Sequence, residues 1–382
     1  MKKNVIILCC AGILVGCTSQ YYHNEYDNVC HKGIKSVRIT NITADTVCID
    51  GSSTSLEGEW ALHNGRLYFT DYNLVGIKEF DLNGGFVARH IHSGRGPNEW
   101  MMPFVVSCFD SDNNLIGIDG SWNMIIFDST YKKVIAPFPY LSDLKYNRQD
   151  WSRLLFHPDV DESHMYEFNV DSRDVKILGG ELIIPIVTEH VNFNGYDIGC
   201  NAEDFWKNSY MYIFIDLKKR ITGNKFGHYP LIYTTRNIPV FSKYSFDVSE
   251  DKLYTSFAAD SLIYVRDSLG APIYTIGYGS SAVKDDYPET RTFDIFREKY
   301  QDYLKRYSYY QNLKIVGSYI FRSYKYQGDE GYGLQVYFNY DLIGDIKTAM
   351  PVSVIGTCND LFYAALPADL ENDCFRLIKF KL

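Results

Sequence analysis

The feature that most constrains the fold of this chain is a repeated pair of short apolar strands separated by polar turns. Each clear copy opens on a polar turn, continues into a strand, turns again, and ends its second strand near an Asp. The three clear copies open at Asn64-Gly65, Asp112-Asn113 and Glu250-Asp251. Strands this short, joined by turns of Asn, Asp and Gly, are typical of β-meanders.

Weaker copies of the same pair extend the repeat along the chain. They lie at residues 182–184 with 212–216, which have an insertion between them, at 334–341, and at 361–363 with 375–380. The total is six units, and residues 166–171 are a candidate part of a seventh. Tandem β-units of about 40 to 50 residues indicate a β-propeller, which closes radially. We therefore predict an all-β fold with six blades, and seven blades are the alternative.

The ends of the repeat and one interruption complete the predicted domain, which we place at residues 32–382. The last unit lacks a strand, and residues 34–39 or 46–49 are candidates to supply it and close the ring. Aromatic residues recur at intervals of three and four at Phe293, Phe296, Tyr300, Tyr303 and Tyr307. This spacing predicts a helical insertion near residues 290–310. We expect the helix to pack against the side or rim of the propeller.

The N-terminus has the pattern of an export signal. Lys2 and Lys3 precede an apolar run from Val5 to Val15, which is shorter than the roughly 20 residues that a membrane span needs. The run ends in Leu-Val-Gly-Cys17, which resembles a bacterial lipobox. We therefore expect a signal peptide at residues 1–16, lipidation of Cys17 and a tether at residues 17–31. An ordinary secretory signal is the alternative.

A lipidated Cys17 would hold the protein in the bacterial cell envelope. Each buried CH₂ of the lipid contributes about 0.8 kcal/mol, so several acyl chains bind a membrane firmly. We expect the outer membrane, and either a periplasmic or a surface-facing orientation. The formal net charge of −9 makes DNA and RNA poor candidate partners, since proteins that bind phosphate backbones usually have a basic surface.

Six cysteines follow Cys17, and none of them forms a Cys-x-x-Cys pair. This spacing gives no support to a zinc ribbon or a thioredoxin-like redox motif. We expect buried free thiols. Pairing of Cys30 or Cys48 with Cys358 or Cys374 stays open, since the chain ends would meet in a closed ring.

One peptide, at residues 93–100, follows the first unit and has the composition of a shaped turn. Gly94 and Gly96 allow unusual backbone angles, Pro97 fixes φ, and Glu99 can accept hydrogen bonds from nearby amides. We expect the peptide to cross from the outer strand of one blade to the inner strand of the next. This crossing would lie on the face where propellers usually receive ligands.

The same peptide carries a family resemblance. Gly94, Gly96, Pro97, Glu99 and Trp100 match the pattern Gly-x-Gly-Pro-x-Glu-aromatic. Together with the lipobox, the strand pairs and the helical insertion, this pattern resembles the TolB-like six-bladed β-propeller lipoproteins of Bacteroides-type bacteria. The resemblance implies six blades and implies no activity.

The candidate ligand-binding residues are Arg95, Glu99, Trp100, His90 and His92. A purely structural clamp between blades is the alternative for the peptide. His90 and His92 would lie on the same face of a strand. However, a metal site needs three or four ligands, and no third is indicated, so we expect no metal site.

No catalytic residue and no cofactor follow from the sequence, because Gly-x-Ser-x-Gly and His-Glu-x-x-His are both absent. We expect a non-catalytic binding or scaffold module for a glycan, a peptide or an envelope protein. Some of the 32 tyrosines could stack on such a partner. The alternative is a propeller-type polysaccharide hydrolase or lyase, which would bring paired carboxylates with perturbed pKa values together in the central pocket.

Overall fold

The computed structural model describes residues 24–139, 148–188 and 190–382. Within these residues the chain forms six β-blades arranged around a central channel. The predicted all-β propeller is therefore confirmed, with six blades rather than seven. The expected signal peptide and Cys17 lie outside the described residues.

Blades 1 and 2 have the simplest form, with four antiparallel strands that follow the chain from the channel outward. Their strands are Gly58–His63, Arg66–Asp71, Ile77–Phe80 and Phe86–His90 in blade 1, and Phe104–Phe109, Leu115–Asp119, Asn123–Phe127 and Lys133–Pro139 in blade 2. A two-stranded parallel pair, His92–Ser93 with Glu99–Trp100, lies between these blades.

Blades 3 to 5 follow the same order, with an addition at the inner edge of blade 3. Blade 3 has Lys176–Leu178, Glu181–Val187, Tyr212–Asp216 and Ile221–Phe226, and the short strand Glu167–Phe168 extends its inner edge. The remaining strands are Tyr244–Ser249, Lys252–Phe257, Ile263–Arg266 and Pro272–Ile276 in blade 4, and Tyr309–Val316, Tyr319–Lys325, Tyr332–Phe338 and Asp341–Thr348 in blade 5.

The turns between strands explain why the repeat is visible in the sequence. Asn64 and Gly65 have φ values of 47° and 70°, the positive angles of the tight hairpin turns that Asn-Gly favours. In blades 1 to 4, an Asp at or just after the end of the third strand holds the next turn. In blade 1, Asp81 Oδ1 accepts hydrogen bonds from the backbone N–H groups of Asn83 and Gly85, at 2.8 and 2.9 Å.

Blade 6 combines both ends of the chain. Its strands are Ser353–Cys358, Leu361–Ala365 and Cys374–Phe380, and the N-terminal strand Ala44–Asp50 is its outermost strand. Ile49 pairs with Phe375 and Val47 with Leu377 in an antiparallel register. The ring is thus closed by the later of the two candidate segments.

The N-terminal segment also lines the outside of two preceding blades. Cys30–His31 pairs in parallel with the outer strand of blade 4, and Lys35–Ile39 pairs in parallel with the outer strand of blade 5. Part of the predicted tether packs on blade 4 as well, where Glu25 forms an ion pair with Arg266 and Tyr26 makes an edge contact with Tyr264. Residues 24–50 therefore run along three consecutive blades.

Two sequence expectations need correction. Residues 166–171 do not begin a seventh blade, because Glu167–Phe168 pairs with the second strand of blade 3 and Val170–Ser172 forms a 3₁₀ helix. The six cysteines of the described chain are free thiols, but they are not all buried. Cys30, Cys48 and Cys200 are exposed, the first two because they lie on outermost strands.

All the helices of the described chain lie in connections at one end of the propeller. They are α1 (Arg148–Phe156), α2 (Ala202–Asn208), α3 (Leu231–Thr235), α4 (Phe293–Arg306) and the 3₁₀ helices Ser163–Met165, Val170–Ser172 and Pro239–Phe241. Strands of a blade alternate in direction, so blade-to-blade crossings and links between second and third strands share one face. We call it the helix-bearing face.

Helix α4 confirms the predicted insertion near residues 290–310. Thr292 caps it, since its side-chain oxygen accepts a hydrogen bond from the backbone N–H of Ile295. Phe296, Tyr300 and Leu304 pack against the largest hydrophobic cluster, which blades 2, 3 and 4 share. None of the helices in the described ranges has the length and apolar character to span a bilayer.

Candidate functional site

The channel widens into a central cavity of about 770 Å³. The inner strands of all six blades contribute to its wall, and α4 covers part of it through Tyr300 and Leu304. Each blade contributes a polar residue to the wall, and in blade order these include Glu59, Ser107, Lys176, Asp247, Lys314 and Ser353. The wall is therefore polar and charged at the middle of the ring.

A chain of ion pairs crosses blades 3, 4 and 5 in this wall. Lys176 Nζ lies 2.7 Å from Asp174 Oδ1 and 3.9 Å from Asp247 Oδ1. Lys314 Nζ lies 3.2 Å from Asp247 Oδ2, which also accepts the backbone N–H of Ile315 at 2.9 Å. Asp247 of blade 4 thus contacts a cation from each neighbouring blade.

The pKa values of these carboxyl groups follow from burial and from the two lysines. Burial would raise the pKa of Asp247, but attraction to Lys314 and Lys176 outweighs it and holds this pKa below its ordinary value. Burial raises the pKa of Asp174 despite the neighbouring Lys176. For Lys176, burial lowers the pKa, but the nearby carboxylates reverse the effect and raise it.

Glu59 differs from the other two carboxyl groups because no described lysine or arginine forms an ion pair with it. Its Oε1 accepts the backbone N–H of Ser107 in blade 2 at 2.7 Å. Burial, reinforced by the charge of Asp174, raises the pKa of Glu59 to about 7. Glu59 is therefore partly protonated at neutral pH.

Neutral hydrogen bonds also join neighbouring inner strands. The hydroxyl of Ser245 in blade 4 donates to the carbonyl oxygen of Gln311 in blade 5 at 2.8 Å. The side-chain amide of Asn312 in blade 5 donates to the hydroxyl of Ser353 in blade 6 at 2.5 Å. Much of the polar lining therefore forms contacts that hold neighbouring blades together.

The mouth of the cavity on the helix-bearing face presents two further cations. Arg173 follows the 3₁₀ helix that interrupts the inner edge of blade 3, and its guanidinium carbon lies 4.4 Å from the ring centre of Tyr72. Lys243 precedes the inner strand of blade 4, and its side chain is open to the cavity. The surrounding protein lowers the pKa of Lys243 by desolvation, which Asp171 partly opposes.

The predicted turn at residues 93–100 crosses from blade 1 to blade 2, as expected. Glu99 Oε2 accepts the backbone N–H of Gly96 at 2.6 Å, and a Cβ on Gly94 would lie only 2.2 Å from the same oxygen. The carbonyl oxygen of Pro97 accepts the backbone N–H of Lys133 in blade 2 at 2.9 Å. Trp100 packs in the hydrophobic cluster between the two blades.

The candidate ligand-binding residues do not lie in the central cavity. Of the five, Arg95 and His92 are exposed on the crossing, while Glu99 and Trp100 make the contacts within it. His90 forms a hydrogen bond with Glu79 at 2.7 Å and stacks on Tyr131. A ligand-binding role for these residues stays a prediction.

The two histidines do not share a face as the alternating pattern suggested. Ile91, between them, has a φ of 61°, which interrupts the strand. Among the residues that the structure describes, no cluster of three or more His, Cys, Asp or Glu could hold a metal ion.

The sequence alone does not identify the charged residues of the cavity. They lie on the inner strands or just before them, in segments that the repeated strand pair does not include. A signal is present in principle, since Asp247 and Lys314 each stand between two apolar residues of a strand. Their convergence depends on blades that are far apart in the chain.

The chain is thus a six-bladed β-propeller. Strands from both chain ends pair in the last blade and close the ring, and the central cavity is charged. Neither a protein-family model nor a curated protein matches this sequence.

Similar solved structures nevertheless exist. One is a member of the DUF4221 family from Bacteroides vulgatus, with a TM-score of 0.65 and 14% identity over 89% of this chain and 98% of that one. Another is a Bacteroides fragilis protein whose name records an expected export, with a TM-score of 0.54 and 12% identity over 92% and 98%. At these identities the likeness shows the fold alone.

Proposed function

We propose that this protein is an envelope lipoprotein that binds a glycan, a peptide or part of an envelope protein without transforming it. The observation that carries the proposal is the cavity of about 770 Å³ in the channel, whose wall combines charged side chains with aromatic rings. Cavities of this size, lined by aromatic groups and a few polar ones, are typical of ligand sites.

The charge arrangement favours binding over catalysis. Asp174 forms an ion pair with Lys176 within blade 3, and Asp247 forms one with Lys314 of blade 5, so neither carboxylate is free as a general base. Cys108 also lines the cavity, but burial raises the pKa of its thiol and keeps it protonated. A binding site, unlike a catalytic one, requires only that the charged groups of its wall keep their positions.

The proposed location rests on the N-terminal sequence and on one structural neighbour. The signal-like segment and Cys17 predict export and lipid attachment. The neighbour from Bacteroides fragilis is named for an expected export. Both support a site in the bacterial cell envelope.

A glycan array and an envelope pull-down, run with a polysaccharide-degradation assay, test this function. Asn312→Trp fills the mouth of the cavity, while Asn83→Trp adds the same ring to an exposed turn on the opposite face. We expect binding without turnover, lost in Asn312→Trp and kept in Asn83→Trp. Binding that survives Asn312→Trp would place the ligand elsewhere. Arg95→Ala then tests the crossing at residues 93–100 as the second candidate surface.

One observation favours the alternative of a polysaccharide hydrolase or lyase. Glu59 faces the cavity with a pKa of about 7, the property of a general acid at neutral pH. If this function is correct, the purified protein degrades a polysaccharide and Glu59→Gln abolishes the turnover. Glu59→Gln keeps the acceptor for Ser107 and removes only the proton exchange.

A further inference from the structure

Two cations at the mouth of the cavity lack the carboxylate partners that the deeper lysines have. Lys176 and Lys314 each contact an Asp within 4 Å, at 2.7 and 3.2 Å. Within the described ranges, no carboxylate forms an ion pair with Arg173 or Lys243. Asp171 influences the pKa of Lys243, but it is exposed and does not pair with it.

These two cations face a shared space. A second cavity of about 390 Å³ adjoins the central one, and the residues that line both are Tyr72, Arg173, Asp174, Lys243, Asn312 and Leu313. The carboxylate of Asp174 is held by Lys176 at 2.7 Å. Arg173 and Lys243 come from neighbouring blades 3 and 4, so a single ligand group between those blades would meet both charges. Neither forms an ion pair between blades, although the guanidinium of Arg173 also lies over the ring of Tyr72 in blade 1.

The charge of the wall contrasts with the charge of the whole chain. The protein carries a formal charge of −9, but the central cavity is lined by four basic and three acidic residues. The two Lys–Asp pairs balance one another. The remaining charged residues of the cavity wall are Arg173, Lys243 and the partly protonated Glu59, and together they favour the binding of an anion.

Two other features of the wall suit a sugar. Gln311 lines the cavity, and its side-chain oxygen is buried without a hydrogen-bond partner in the described part of the chain. An unpaired buried acceptor is costly, and a ligand hydroxyl would satisfy it. The ring of Tyr300 adds a flat apolar surface of the kind on which sugar rings stack.

We propose that the central cavity binds a carboxylate-bearing oligosaccharide, with Arg173 and Lys243 holding a carboxylate and Gln311 accepting a ligand hydroxyl. This inference rests on the proposed binding function and narrows its ligand class. A guanidinium is suited to the two oxygens of a carboxylate, and an ammonium adds a point charge beside it.

Isothermal titration calorimetry with tetrasaccharides of galacturonate, glucuronate and mannuronate tests the proposal. Each probe is paired with its carboxyl-reduced, neutral counterpart, and an oligoglutamate peptide represents acidic polypeptides. The variants are Arg173→Gln and Lys243→Gln. Lys218→Gln is the control, because it removes the same charge from an exposed turn on the opposite face.

We expect at least one acidic tetrasaccharide to bind, and its reduced counterpart to bind about tenfold more weakly or worse. Arg173→Gln and Lys243→Gln should each weaken binding by about tenfold or more, with the control within about twofold and all melting temperatures retained. Raising the salt concentration should weaken binding as well.

Other results would overturn the inference. Equal binding of acidic and reduced probes, lost in Asn312→Trp, would leave the proposed function standing and remove the acidic ligand. Preference for the oligoglutamate peptide would replace the sugar by a polypeptide. Acidic binding that neither Arg173→Gln nor Lys243→Gln weakens would refute the assigned residues, and no binding by any probe would count against both proposals.

Discussion

Closure of the ring by the N-terminal strand can be tested with a single side chain. Ile49 lies on Ala44–Asp50, is 1% exposed, and belongs to the cluster that also contains Phe69 of blade 1 and Phe375 of blade 6. A Cβ on Gly84, in a turn of blade 1, would lie only 2.8 Å from Ile49 Cγ1. Ile49 therefore packs against both blades that meet at the closure.

Ile49→Ala should destabilise the protein by about 2–5 kcal/mol, the usual range for truncating a buried Ile to Ala. Unfolding entropy near the melting temperature is about 2.1 cal/mol/K per residue, or roughly 0.75 kcal/mol/K for a chain of about 360 residues. The melting temperature should then fall by about 3–7 °C. Thermal unfolding followed by circular dichroism measures this shift.

Thr46→Ala is the matched control, because Thr46 lies on the same strand and is exposed. It should cost no more than about 0.5 kcal/mol and shift the melting temperature by less than about 1 °C. Equal small shifts in both variants would refute the reasoning that this strand closes the ring by packing. Deletion of residues 32–50 is less informative, since it exposes the outer edges of blades 5 and 6 at once and promotes aggregation.

Three further predictions concern protons and the anchor. Backbone N–H groups, that of Gly85 above all, hold the pKa of Asp81 below its ordinary value. The ionised carboxylate therefore stabilises the folded state above about pH 4, and this stabilisation is lost as the pH falls further. Asp81→Asn should reduce the loss of stability that urea titrations show between about pH 5 and pH 3. Because the pKa of Glu59 is raised from 4.5 to about 7, the folded state loses stability as the pH rises between these two values. Glu59→Gln should therefore be about 1–3 kcal/mol more stable than the wild type at pH 8. If the variant and the wild type had the same pH dependence of stability, the assigned burial of Glu59 would be contradicted. Cys17→Ala should move the protein from the membrane to the soluble fraction, with intact mass showing the loss of lipid, and a variant that still partitions wholly with membranes would speak against lipidation.

The parts of the fold that the sequence predicts are those specified by local chemistry. Asn64-Gly65 and the Asp residues that end third strands mark turns through backbone angles and short-range hydrogen bonds, so the second and third strands of the blades are visible in the repeat. The helical spacing from Phe293 onward depends only on neighbouring residues. Each of these signals is complete within about ten to twenty residues.

The inner strands and the site lack such signals. Asp247 and Lys314 interrupt the apolar pattern because their side chains face the channel, and nothing near them in sequence shows that they will meet. Burial, together with the charge of Asp174 in blade 3, raises the pKa of Glu59, and neither cause is visible near Glu59 in the sequence. The peptide at residues 93–100 has a locally unusual composition that the sequence shows, but the reason for its glycines is structural: they accommodate the side chain of Glu99 in a crossing between blades.

The charges of the channel divide according to the regularity of the backbone that carries them. Lys176, Asp247 and Lys314 stand on regular inner strands, where fixed spacing lets them pair across blades. Arg173 and Lys243 stand where regular structure is interrupted, after a 3₁₀ helix and before a strand. Regular strands repeat around a propeller and are constrained by their neighbours, whereas the irregular segments can differ from blade to blade. The unpaired cations on those segments are therefore the groups of the wall that are free to select a ligand.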